Sequence, residues 1–191
     1  MFNDRYGLTQ AVIEGRKTMT RRIIIPQPDF LSDNFGWAKR NNGDVILPKY
    51  GVDEIVAVAQ RYSTIAAGHP DVDTFLLQVA KAHKISIESV QELAGWNNKM
   101  FTKAELMPHQ IRITGIRCEL LRDISDADCL REGIRYIPKI CKFYFKDVRR
   151  EADFYFDDHR EALAMLIDKV SVRGTWASNP WVVVYEFELV K

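Results

Sequence analysis

The sequence predicts an α+β protein of 191 residues in a single domain. Two observations carry the class: runs of alternating apolar residues, and separate runs with helical 3.6-residue spacing. A third, a glycine at a phase switch within the longest strand, predicts the kind of bend that lets a small barrel close.

The elements follow in chain order. Thr9 suits the N-cap of a short helix, with Leu8 placed to pack on Ile13 and Gly15 to stop it. Ile23-Ile24-Ile25 reads as a strand closed by Pro26 and Pro28. Residues 27–50 mix Pro, Asp, Asn and Gly and read as a long loop. Ile55 to Ala59 is short and β-branched, hence a strand. Phe75, Leu76, Val79 and Ala82 then give one helix. Ser86 begins a second, with Ile87, Val90 and Leu93 on one face and Gly95 at its end. The pair reads as a helical insertion or as a helix-turn-helix; its weak basic character favours the insertion.

Gln110 to Leu121 is the clearest strand. Ile111 and Ile113 alternate, then Ile116, Cys118 and Leu120 alternate in the opposite phase, which predicts a bulge at Gly115. Ser125 caps a helix that Gly133 ends. Tyr136 to Val148 reads as a hairpin or a lid. Asp158 and Glu161 form a capping box for a helix reaching about Val170, with Leu163, Leu166, Ile167 and Val170 as its buried stripe. Residues 181–190 form a last strand with Trp181, Val183, Tyr185, Phe187 and Leu189 on one face.

Composition narrows the function classes. A hydrophobic fraction of 47% with 28% charged residues is that of a globular protein, and a net charge of +1 argues against bulk electrostatic binding of nucleic acid. No apolar run is long enough to span a bilayer. Cys118, Cys129 and Cys141 have no C-x-x-C spacing, which together with the lack of an apolar leader predicts a cytoplasmic protein. The four histidines are scattered, so no metal site is expected, and no nucleotide-loop or nucleophile-elbow motif implies a cofactor.

The densest chemistry is the octapeptide Gly15-Arg16-Lys17-Thr18-Met19-Thr20-Arg21-Arg22. It puts four cations and two hydroxyls between a helix and a strand. Such a segment suits binding or attack on a polar substrate, although its spacing alone favours a solvated basic turn with a glycine C-cap.

This octapeptide resembles the signature of the ASCH family, Gly-x-Lys-x-x-Glu-x-Arg, at Gly15, Lys17 and Arg22. Thr20 stands where most members have Glu, which is similar to the N4-acetylcytidine amidohydrolase branch. Gly174-Thr175-Trp176-Ala177-Ser178-Asn179-Pro180-Trp181 resembles the ending of phage-type members. The resemblance covers about residues 1–26, 108–134 and 160–190. It implies a PUA-like small β-barrel with surrounding helices, and leaves insertions at about 61–105 and 135–158. It also implies a catalytic set of Lys17, Thr20 and Glu132. Arg22, Thr18, Arg21 and Trp176 are then expected to bind substrate, with no metal and no cofactor.

The expected function is a nucleoside or RNA pocket that hydrolyses an N4-acyl amide on cytidine. A non-catalytic reader of RNA or of a modified base stays open. So does a phage or mobile-element accessory protein that meets a protein partner through its insertions. No membrane partner is expected.

Overall fold

The computed structural model describes residues 2–31 and 38–190. It is an α+β structure that divides into two compact units. One holds residues 55–111 with Phe2 and Val190, the other residues 3–54 and 112–189.

The first unit is mainly helical. After the strand β5 (Ile55–Ala57) come the helices α2 (Tyr62–Gly68) and α3 (Val72–His83). Asp71 caps α3 by accepting from the Thr74 N–H at 3.0 Å. Tyr62, Ile65, Phe75, Val79, Val90 and Met107 form its core. The expected second helix is a 3₁₀ turn, Ile87–Glu92, followed by the one-turn helix α4 (Ala94–Asn97). Ser86 bonds no N-terminal N–H there, and Gly95 lies inside α4 instead of ending a helix. The reason for glycine is close approach: a Cβ would sit 2.8 Å from Tyr62 Cε2 and 2.9 Å from the Phe101 carbonyl. No helix-turn-helix forms within 71–97.

The second unit carries the sheet that positions the candidate site. Helix α1 (Leu8–Ile13) begins after Gly7, so Thr9 is not its cap. Thr9 is buried within the helix and donates to Asp4 at 2.5 Å. Gly15, at φ +70°, ends the helix as expected. Strand β1 (Met19–Ile23) starts four residues earlier than the isoleucine run suggests, and Ile25 is 85% exposed. Tight pairing along Met19 to Ile23 fixes the strand, whatever the apolar run prefers.

β1 runs antiparallel to β10 (Trp181–Leu189), which lies between β1 and β6 (Gln110–Leu120). β10 is paired at both edges and covered on both faces: Val182 and Val184 are as buried as Val183, Tyr185 and Phe187. Val182 and Val184 pack with Met19 and Leu121 under Ile167 and Trp176. β6 passes through Gly115 as one strand; Ile111 and Ile113 are buried, while every residue beyond Thr114 is half-buried.

Residues 27–50 are more ordered than a loop. Within them β2 (Phe30–Leu31), β3 (Ala38–Lys39) and β4 (Val45–Ile46) pair as a small antiparallel sheet, residues 32–37 lie outside the described residues, and the remainder is turn and loop as expected. Residues 135–156 form an antiparallel meander of β7 (Arg135–Ile137), β8 (Lys142–Asp147) and β9 (Ala152–Phe156). Buried Phe145 packs there on Tyr6, Phe154 and Phe156. Helix α5 (Asp126–Arg131) follows β6, and α6 (His159–Val170) and α7 (Thr175–Ser178) precede β10. Asp158 caps α6 as its sequence predicts. Among the described residues, no helix is long and apolar enough to cross a membrane.

Candidate functional site

The site lies in the second unit, where the segment after α1 meets the end of α5. Past Gly15 the chain folds back: the Lys17 N–H donates to Ala11 O, and Thr18 N–H to Arg131 O at 3.0 Å. Thr18 O in turn accepts from Phe187 N–H at 2.9 Å, and Thr18 Oγ1 from Arg131 Nε at 3.2 Å. Thr18, expected to bind substrate, thus stitches the segment to α5 and β10.

Lys17 is 3% exposed. Its Nζ donates to Glu132 Oε2 at 2.5 Å and to the Glu132 carbonyl at 2.7 Å. Glu132 ends α5 and is itself buried, not exposed as a last-turn carboxylate would be. The helix dipole disfavours a negative charge at that end, and the two cations on the carboxylate offset this. Gly133 follows at φ +110°, and a Cβ there would meet Leu8 Cδ2 at 3.2 Å and Lys17 Cδ at 3.6 Å. The turn that delivers Glu132 therefore requires glycine.

Strand alternation sorts the rest of the octapeptide. Met19, Arg21 and Ile23 share the face of β1 that carries Glu186 and Val184 opposite them on β10. Arg21, whose side chain is 3% exposed, gives Nη1 to Glu132 Oε1 at 3.0 Å, and Nε and Nη2 to Glu119 Oε1 at 2.9 and 2.6 Å. Arg117 donates to Glu119 Oε2 at 2.8 Å, to Asp128 Oδ2 at 2.7 Å and to Glu186. Arg131 joins Asp128 at 3.2 Å and Glu186 at 3.0 Å. Four cations (Lys17, Arg21, Arg117, Arg131) thus meet four carboxylates (Glu119, Asp128, Glu132, Glu186) in one lattice whose charges cancel.

The opposite face of β1 carries Thr20 and Arg22, across from Tyr185 and Val183. Thr20 is half-buried and Arg22 exposed. Among the described residues the Thr20 hydroxyl makes no hydrogen bond to Lys17 or Glu132. Tyr185 accepts from the Lys49 N–H at 2.9 Å and meets Tyr50 edge-on. Trp176 is half-buried on the Met19, Leu121, Val182 and Val184 cluster, with its backbone N–H on Asp168 at 2.9 Å.

The electrostatics follow from this arrangement. Burial pushes the Lys17 pKa down most strongly; the Glu132 carboxylate pushes back, and the charges of Arg22 and Arg21 lower it further. The net direction is below the ordinary lysine value, so a neutral amine is more accessible here than on a surface. Burial alone would raise the Asp128 pKa, but the fields of Arg117, Arg21 and Arg131 together hold it below the usual aspartate range.

Sequence reading missed Arg117, Glu119, Asp128, Arg131 and Glu186 as members of the site. A signal was present. Arg117 and Glu119 sit two apart on one face of a core strand, and Asp128 and Arg131 are three apart on α5, where opposite charges pair. Among the described residues no group of His, Cys, Asp or Glu could hold a metal ion.

Comparisons of the chain with protein-family models, with curated proteins and with solved structures found no match.

Proposed function

We propose that this chain is an ASCH-type protein of PUA-like fold whose pocket takes a cytidine nucleoside or an RNA carrying it, and hydrolyses an N4-acyl amide. The observation that carries the reading is the buried Lys17–Glu132 pair, two octapeptide-and-helix residues 115 positions apart in sequence held at 2.5 Å. A buried amine with a lowered pKa is suited to take a proton at moderate pH.

In this reading Thr20 Oγ attacks the acyl carbon as its proton passes to Lys17 Nζ. Collapse of the tetrahedral adduct breaks the C–N4 bond, and Lys17 returns the proton to N4. Cytidine leaves and the acyl group remains as an ester on Thr20. Water then cleaves the ester with Lys17 again as base, releasing the carboxylic acid and restoring Thr20. Arg22 shares a strand face with Thr20 and supplies positive charge to the developing oxyanion.

A second reading, a non-catalytic reader of RNA or a modified base, is favoured by one observation. Thr20 lies on the face of β1 opposite Arg21, and its hydroxyl bonds neither Lys17 nor Glu132. Acetate release from N4-acetylcytidine separates the two. Wild type releases acetate if the first reading holds. Thr20→Val and Lys17→Met, both close to isosteric, each abolish release while keeping a cooperative urea transition. Nucleoside binding without release by wild type establishes the reader instead.

A further inference from the structure

Arg21 is usually the kind of residue assigned to substrate: a forked cation in a basic motif beside a candidate base. Its surroundings point elsewhere. The side chain is 3% exposed. Its Nε and Nη2 are spent on Glu119 Oε1, and Nη2 also lies 3.4 Å from Asp128 Oδ2. Its Nη1 is spent on Glu132 Oε1 at 3.0 Å and on Met19 Sδ at 3.2 Å. All three nitrogens of the fork are occupied by protein. The other oxygen of Glu132 is occupied by Lys17. Glu132 is therefore clamped at both ends, with Lys17 on Oε2 and Arg21 on Oε1, and both oxygens act as acceptors.

We propose that Arg21 is a positioning residue: anchored by Glu119, it fixes the Glu132 carboxylate so that Oε2 orients the Lys17 amine, and it does not touch substrate. The inference deepens the amidohydrolase reading and rests on it for its kinetic part alone. It also assigns Glu132 the role of orienting Lys17, since each of its oxygens is held by a fixed cation. A lysine has three rotatable donors and no preferred direction of its own, so a base of this type needs such a fixed partner. The rest of the lattice makes the clamp rigid. Glu119 is held from its second oxygen by Arg117, and Arg117 reaches on to Asp128 and Glu186.

The test uses Arg21→Met, Arg21→Lys and Glu119→Gln in the full chain, each checked for a cooperative urea transition. The first readout needs no substrate: ¹⁵N NMR titration of the Lys17 Nζ. Losing Arg21 removes a like charge and frees Glu132 to lean wholly on Lys17, so Arg21→Met raises the Lys17 pKa by about one unit. Arg21→Lys, which keeps the charge and loses the fork, gives a smaller rise. Glu119→Gln, which removes a compensating negative charge and leaves Arg21 to lean on Glu132, moves it the opposite way and stands in should Arg21→Met not fold. The second readout is hydrolysis of N4-acetylcytidine. kcat falls about 100-fold in Arg21→Met with KM unchanged, and Arg21→Lys recovers part of the loss. An unmoved Lys17 titration in these variants overturns the proposal. So does a raised KM at constant kcat, which would make Arg21 a substrate ligand. Absence of hydrolysis by wild type removes the amidohydrolase reading and leaves the titration to decide the clamp.

Discussion

Lys17 and Asp128 show how one lattice drives two groups away from their ordinary behaviour. Lys17 is dominated by burial, which its carboxylate partner offsets only in part. Asp128 is dominated by three arginines, which outweigh burial. The second case makes a prediction about acid stability. The folded pKa of Asp128 lies below its unfolded value of about 4, so the folded state binds fewer protons there. The stabilisation is complete above that unfolded value and drains away as pH falls through the depressed one. The urea midpoint of wild type should therefore drop steeply below about pH 4, and Asp128→Asn should remove part of that slope while lowering the plateau. Equal slopes for the two proteins would show that Asp128 is not held by the arginines. Residue identity alone could not have placed these charges. Lys17 was legible as chemistry through its octapeptide, whereas its burial was not, because a lysine among other cations gives no sequence sign of being enclosed.

At the scale of elements, α5 and the turn after it matter most. Ser125 and Gly133 announced this helix, and the structure keeps it within those limits with the Ser125 hydroxyl accepting from the Asp128 N–H at 3.2 Å. Elements with their own caps were readable, as α6 also shows through Asp158. Elements set by tertiary pairing were not. β1 begins at Met19 because β10 pairs with it there, and the two-sided burial of β10 follows from packing by Leu121, Ile167 and Trp176 on one face, which no single strand can report. The segment after Ser86 took a 3₁₀ turn and a short helix although its apolar spacing fitted one α-helix.

The two glycines that bracket the site elements should answer differently to alanine. Gly15 has φ +70° and open space around its Cβ position, so Gly15→Ala meets only backbone strain of about 1–2 kcal/mol. Gly133 has φ +110° and Leu8 Cδ2 at 3.2 Å, so its strain adds to a shift of the Leu8 side chain. Urea unfolding should show the larger loss for Gly133→Ala, about 1–3 kcal/mol beyond Gly15→Ala. A Gly133→Ala protein as stable as Gly15→Ala would mean that the turn tolerates a side chain.

For the molecule as a whole, a formal charge of +1 conceals a local design in which four cations are neutralised internally by four carboxylates. The pairs among Lys17, Arg21, Glu132 and Glu119 are buried, and such pairs add little net stability, because desolvation consumes most of the Coulomb gain, while removing one partner is far costlier than the pair is worth. Retaining them is more readily understood as a way to fix one geometry around Lys17. The α+β class was legible from the two periodicities. The compact unit of residues 55–111 encloses the segment 61–105 that the sequence sets apart as an insertion.

The central claim, that a buried Lys17 amine oriented by Glu132 acts as the base for amide hydrolysis, is tested most directly by one pH–rate profile. kcat/KM for N4-acetylcytidine is measured from pH 5 to 11 for wild type and Glu132→Gln. The account predicts a rising limb in wild type below the ordinary lysine value of 10.5, because burial lowers the Lys17 pKa. It predicts a limb at still lower pH in Glu132→Gln, because the lost carboxylate was the group holding that pKa up. Turnover absent at every pH, or a limb that stays in place or moves upward in Glu132→Gln, would contradict it.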